Sequence, residues 1–144
     1  MPTDIEESVT PSESTEPTEI TIGEVTSNEP VSGDSILNTI KKLLGIDASY
    51  HPFDTDIIIH INTYLGVLND LGVGVLGFTI TGPNETWSEF LSGSAAPVNE
   101  ARTYVYLRVR MAFDPPTSGI VTNAIEKQIE ELGWRLRIKV ECSV

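Results

Sequence analysis

Two consecutive prolines, Pro115 and Pro116, constrain this chain more than any other pair of residues. They separate two well-patterned stretches, NEARTYVYLRVRMAF before them and GIVTNAIEKQIEELGWRLRI after them. Neither proline can donate a backbone hydrogen bond, and the residue before a proline is pushed out of the α region. Asp114 therefore has to leave any helix that reaches it. A missing N–H is harmless in the first turn of a helix, so the prolines also suit the start of the next element. Thr117 or Ser118 can supply the capping oxygen. DPPTS thus reads as a tight break between two packed elements.

After the break, Val121, Ala124, Ile125, Gln128, Ile129, Leu132 and Leu136 recur at the helical period. Glu131 and Arg135 form a favourable i,i+4 pair on that helix. The stretch before the break is ambiguous. Val105, Leu107, Val109 and Met111 alternate with Tyr106, Arg108 and Arg110, as in a strand. Ala101, Tyr104, Val105, Arg108 and Ala112 also fall on neighbouring helical turns, and Asn99 and Glu100 resemble a helix start. Periodicity alone leaves both readings open.

Two further helices lie upstream. DSILNTIKKLLG carries Ile36, Leu37, Ile40, Leu43 and Leu44 on one face. Asp34 or Ser35 caps it, Lys41 and Lys42 suit its C-terminal dipole, and Gly45 ends it. From about Asp54 to Leu71, Ile57, Ile61, Tyr64, Leu65, Leu68 and Leu71 keep the 3.6 period. Asp54 is the expected cap, and Ile58 and Val67 widen the apolar stripe, which suggests a central helix. Between Gly72 and Gly93, Phe78–Thr81 is a short strand candidate, Gly82-Pro83-Asn84 a turn, and Trp87–Leu91 a single helical turn.

The tail changes period. Leu136, Ile138, Val140, Cys142 and Val144 alternate with Arg137, Lys139, Glu141 and Ser143, the spacing of a strand. Such a strand needs a sheet edge, and addition to a partner's sheet is one way to find it. Pairing with Phe78–Thr81, or continuation of the preceding helix, are the alternatives.

Charge divides the chain differently. The formal net charge is −12, and residues 1–34 hold nine acids and no Lys or Arg. That Ser/Thr/Pro/Glu-rich stretch has no aromatic residue and cannot bury enough apolar surface to offset its ordering entropy. It is expected to be a disordered-type arm, apart from the alternating Ile20 and Ile22. An acidic chain of this kind does not grip DNA phosphates, which takes clustered Lys and Arg. With Cys142 as its one cysteine, the chain cannot form an internal disulfide or a Cys-based zinc site. No apolar run approaches the roughly 20 residues of a membrane span.

Side chains able to do chemistry do not assemble into a motif. Asp56 and His60 share a helix face but have no third ligand. His51 precedes Pro52 with no partner pattern, and GVGVLG lacks both the phosphate-loop lysine and a dinucleotide fingerprint. Cys142 lies in an alternating context typical of a small apolar residue. No catalytic residue, metal or cofactor is assigned, and Trp87 and Trp134 read as core or interface anchors.

The ordered set SILNTIKKLLGID, FDTDIIIHIN, LGVG, GFTIT, TWSEFL, YVYLRVRMAFDPPTS and QIEELGWRLRIKVE resembles the small head–tail connector (adaptor) proteins of tailed phages of Gram-positive bacteria, within the wider gp6-like connector family. The resemblance runs from about Asp34 to Glu141. It implies a mainly α fold: a bundle of about four helices over 34–136, with a short β element, a C-terminal extended strand over 137–144, and the acidic arm 1–33 outside it. It resolves YVYLRVRM as helix. It further implies a structural virion protein at the neck, made in the host cytoplasm, forming a ring of about twelve copies beneath the portal. Double-stranded DNA would pass through unbound, and a head-completion or tail protein would dock below. Arg137, Ile138, Lys139, Val140, Glu141, Cys142, Ser143 and Val144 correspond to the segment that contacts the portal in related connectors. Glu126, Glu130 and Glu131 are candidate channel-facing acids, although an ordinary solvated helix face is the more common reason for such acids. A small acidic regulatory module that occupies a host or phage protein is the alternative from a different class.

Overall fold

The computed structural model describes residues 34–142. The arm 1–33, with Ile20 and Ile22, and the last two residues, Ser143 and Val144, lie outside the described residues. Five helices follow one another: α1 (Ile36–Leu43), α2 (Asp54–Asp70), α3 (Trp87–Phe90), α4 (Val98–Phe113) and α5 (Gly119–Cys142). Helix α4 makes substantial contacts with each of the other four, most extensively with α2 and α5. The central helix is therefore α4, not α2.

That position explains the ambiguity of its sequence. Ala101, Tyr104, Val105, Leu107 and Val109 are all buried, which spreads burial around much of the helix and blurs a one-sided stripe. Arg108 and Arg110 still reach polar partners by lying along their own helix. The Arg108 guanidinium donates to Tyr104 Oη at 3.0 Å, and Arg110 to Tyr106 Oη at 3.4 Å. Arg108 also sits 5.5 Å above the Tyr64 ring of α2, an apolar stem with a charged head that stays accessible.

Asp114 leaves the helix with φ −146° and ψ 70°, as a residue before proline must. Pro115 and Pro116 stay within the connection, three residues short of α5, and Ser118 Oγ accepts from the Val121 N–H at 3.4 Å. The break is thus where the sequence puts it, with the prolines outside the helix.

The C-terminal strand does not form. Helix α5 continues through Arg137, Ile138, Lys139, Val140 and Glu141 to Cys142. The alternating residues include Leu136 and Val140, which are also i,i+4 neighbours on a helix. Leu136 is fully buried and Val140 packs beside it against the core. Arg137 and Glu141 close an i,i+4 pair at 3.0 Å, and Lys139 Nζ reaches Glu100 of α4 at 3.0 Å. No proline or C-capping glycine intervenes to stop the helix. Gly133, inside it, leaves room for the Tyr104 ring, which would lie 3.3 Å from a Cβ there.

The expected strand at Phe78–Thr81 is also absent, and no strand occurs among the described residues; there is an isolated bridge between Ser35 and Thr86. The Asn62 side chain takes the place of a neighbouring strand. Its Oδ1 accepts from Ile80 N at 2.7 Å and its Nδ2 donates to Ile80 O at 3.0 Å. Both backbone groups of a buried residue are satisfied by one amide. Asn69 organises the preceding loop in the same way, donating to Val73 O and Val75 O and accepting from Gly77 N. The loop turns at Gly74, where φ is +84° and a Cβ would lie 2.3 Å from the Phe90 ring.

Caps follow local chemistry. Ser35 Oγ accepts from Asn38 N at 3.2 Å, while Asp34 instead accepts from the Ser88 hydroxyl at 2.7 Å. Thr86 and Glu89 form a reciprocal capping box that starts α3. Trp87 and Phe90 of this short helix are fully buried.

Candidate functional site

Asp54 does not cap α2, as its sequence position suggests. It is the first helical residue, and its carboxylate is engaged elsewhere. The partner is Lys41 of α1, whose side chain is completely buried. The ammonium group lies 2.7 Å from Asp54 Oδ1 and donates to Tyr50 O at 2.7 Å and Ala48 O at 3.2 Å. One lysine thereby fixes the connection 44–53 between α1 and α2. His51 Nδ1 lies 2.9 Å from Asp54 Oδ2. Burial pushes the Asp54 carboxyl up, but Lys41 and His51 together outweigh it and hold the group below its ordinary value. No sequence pattern points to this clamp. Two of its acceptors are backbone carbonyls, placed by loop conformation.

A cleft of about 440 Å³ opens beside the clamp, lined in part by Asn38, His51, Asp54, Thr55 and Thr81. His60 is half-buried further along α2, and Asp56 is exposed. Among the described residues, no three His, Cys, Asp or Glu side chains come together as a metal site. Cys142 is a free thiol on the exposed end of α5.

Of the residues expected to meet the portal, Arg137 to Cys142 occupy the last turns of α5. Arg137, Lys139, Glu141 and Cys142 point outward, whereas Ile138 and Val140 are half-buried. Val140 lies close to Gly72, whose missing Cβ would approach it at 3.2 Å. This end is therefore a docked helix with a polar outer face, and a free edge strand is not available for addition to a partner's sheet. Of the candidate channel acids, Glu126 and Glu130 share a shallow depression with Asn123 and Lys127. Glu131 is turned toward Arg135, at 2.8 Å. All three acids are exposed.

Two features of this helix were less legible in sequence. Trp134 is 66 % exposed, while Trp87 is wholly in the core. Trp134 borders a shallow groove with Leu71, Tyr104, Arg108 and Arg137. At the other end, Ile120 is 82 % exposed. Helix α5 of this bundle thus presents apolar side chains to solvent near both of its ends.

The sequence family described as phage connector protein matches residues 36–143. The chain belongs to that family, and its role is that of a structural connector among phage head and tail proteins. No curated protein and no solved structure matches it. Among the described residues, no helix is long and apolar enough to cross a membrane.

Proposed function

We propose that this protein is a head–tail connector that assembles as a ring beneath the capsid portal, at the neck of a tailed phage of the gp6-like type with a Gram-positive host. The ring holds about twelve copies, extends the DNA channel, and offers its lower face to the next connector or tail protein. The observation that carries the reading is the family match, which spans every described helix. The protein acts by binding and positioning, without catalysis.

The exposed face of the last α5 turns, Arg137 to Cys142, together with Ser143 and Val144, contacts the portal. A docked helix end presents charges at fixed positions, which favours recognition by complementary charge. Glu126, Glu130 and Glu131 face the channel. DNA sliding through such a wall makes few phosphate contacts, and few contacts mean weak retention. The acidic arm 1–33 orders against a neighbouring copy or the next connector during assembly. Deleting residues 1–33 without changing assembly would remove that role.

Charge reversal at the helix end tests portal contact without disturbing the fold. In Arg137→Glu with Glu141→Lys, the i,i+4 pair is retained with its order inverted. The expected result is unchanged thermal stability and weaker co-sedimentation with the portal protein. Undiminished portal binding by this double variant would move the portal surface elsewhere.

A further inference from the structure

Acids outnumber bases in this chain by 21 to 9, so an arginine without a carboxylate stands out. Lys41, Arg135, Arg137 and Lys139 each meet one. Arg102 and Arg110 of α4 do not, among the described residues. Each donates instead to a neutral group of its own helix, Arg102 to Asn99 Oδ1 and Arg110 to Tyr106 Oη. Both arginines are half-buried, and neutral acceptors offset the lost hydration of a guanidinium less well than a carboxylate does.

At 3.6 residues per turn, Asn99, Arg102, Thr103, Tyr106, Arg110 and Phe113 fall within about 100° of one another around α4. None is an acid and none is fully buried. They form a band along the outside of the helix. Aromatic rings carry it on, from Phe113 to Phe53 at 5.4 Å and from Phe53 to Tyr50 at 5.8 Å. Phe53 and Tyr50 are both exposed. Three acids lie near in sequence. Glu100 is turned to Lys139, Asp54 is held by Lys41 and His51, and Asp114 is exposed just beyond Phe113. The band thus offers two cations followed by an apolar surface.

The chain carries a segment of matching kind. Residues 1–33 hold eight acids and no Lys or Arg, and within them EPTEITI, residues 16–22, sets two acids ahead of two apolar residues. Arg102 and Arg110 are about 12 Å apart along the α4 axis. Glu16 and Glu19 are about 10 Å apart in an extended chain, and Ile20 and Ile22 follow where the band turns aromatic. Nucleic acid would also meet the arginines, but a net charge of −12 opposes it. The same charge makes copies of this chain repel one another. An acidic arm laid on a neighbour's band replaces part of that repulsion with attraction. Residues 25–33 span at most about 30 Å, comparable with the width of a domain of this size and enough to cross to an adjacent copy.

We infer that residues 16–22 of one copy lie along the α4 band of the next, Glu16 and Glu19 on Arg102 and Arg110, Ile20 and Ile22 on Phe113 and Phe53. Arm and band are different surfaces, so the contact is head-to-tail, and a tethered segment makes it without fixing the angle between neighbours. The inference rests on the ring reading and assigns the arm its seat within it.

Cross-linking of the full chain tests it. In a Cys142→Ser background, Thr18→Cys and Asn99→Cys are made as separate variants and together in one chain. The separate variants are mixed under conditions of assembly, alone and with portal protein, and treated with a short bismaleimide. Native mass spectrometry follows assembly in parallel, and the linked peptides are identified by mass. The mixture is expected to give a dimer linked between positions 18 and 99. Arg102→Gln with Arg110→Gln should cut its yield roughly tenfold, and Glu16→Gln with Glu19→Gln, which leaves the helices untouched, should do the same. If oligomers form but the mixture gives no 18–99 link, or the double-cysteine chain links only within itself, the seat is wrong and the ring reading stands. An unchanged link in the arginine variant, with loss of co-sedimentation with duplex DNA, would give the band to nucleic acid and overturn the inference. If no oligomer forms with or without portal, the ring reading fails and the seat falls with it.

Discussion

Replacing Lys41 by Met should be among the most damaging single changes in this protein. The two side chains are similar in length, so the core is not emptied. What disappears is an ammonium group that meets Asp54 at 2.7 Å and two loop carbonyls at 2.7 and 3.2 Å. Removing one member of a buried pair destabilises by about 3–5 kcal/mol, because the other charge is stranded. Here Asp54 keeps 23 % side-chain exposure and His51 beside it, which places the loss at the low end, about 3 kcal/mol. At around 4 °C per kcal/mol for a domain of this size, the melting temperature falls by roughly 12 °C. Circular dichroism during thermal and urea denaturation measures it, with the exposed Lys42→Met as control at under about 0.5 kcal/mol. Adding Asp54→Asn to Lys41→Met should recover part of the loss, since no stranded carboxylate remains. Equal stability of the Lys41→Met and Lys42→Met proteins would refute the clamp.

Other outcomes follow from the same geometry. Gly74→Ala combines a left-handed backbone with a Cβ 2.3 Å from the Phe90 ring and should lose about 3 kcal/mol; Gly77→Ala, at φ +78° with nothing within 4 Å, should lose only about 1, both read by urea denaturation. Asn62→Ala strands both backbone groups of Ile80 and should lose about 2 kcal/mol, against almost nothing for Thr63→Ala on the exposed face. Asp54 and Glu85 are both held below their ordinary values of 3.8 and 4.5. Burial opposes this in each case. Lys41 and His51 outweigh it at Asp54, and the backbone N–H of Glu85 with the Thr81 hydroxyl and backbone at Glu85. A depressed folded-state value gives stability that is complete above the unfolded-state value and lost as pH falls through the folded one. An acid titration of stability should therefore be level near neutrality and decline below these ordinary values, and Lys41→Met should shrink the decline.

The helices that line one side of the core were legible because one-sided burial leaves a clean period. Ile36, Leu37 and Ile40 of α1, Ile57, Ile61, Leu65 and Leu68 of α2, and Ile125, Ile129, Leu132 and Leu136 of α5 are buried as their spacing indicates, whereas Leu43, expected on the same stripe of α1, is exposed. Helix α4 resisted the same reading because neighbours cover it from several directions. The tail misled for another reason: a residue every second position contains a residue every fourth, so Leu136 and Val140 satisfy strand and helix alike. The decisive information was tertiary, namely Val140 against the core and Lys139 on Glu100. The Lys41 clamp and the Asn62 amide were not legible, because each bonds to backbone groups whose positions are set only once the loops are folded. The acids of α5 could be placed on a helix from their spacing, but what faces them is written in a partner's surface.

The most direct test of the connector reading is native mass spectrometry of the full chain, alone and then mixed with the portal protein of the same phage. The account predicts ring-sized oligomers, or a monomer that joins the portal in a fixed stoichiometry near one copy per portal subunit. A monomer that ignores the portal under assembly conditions would contradict it.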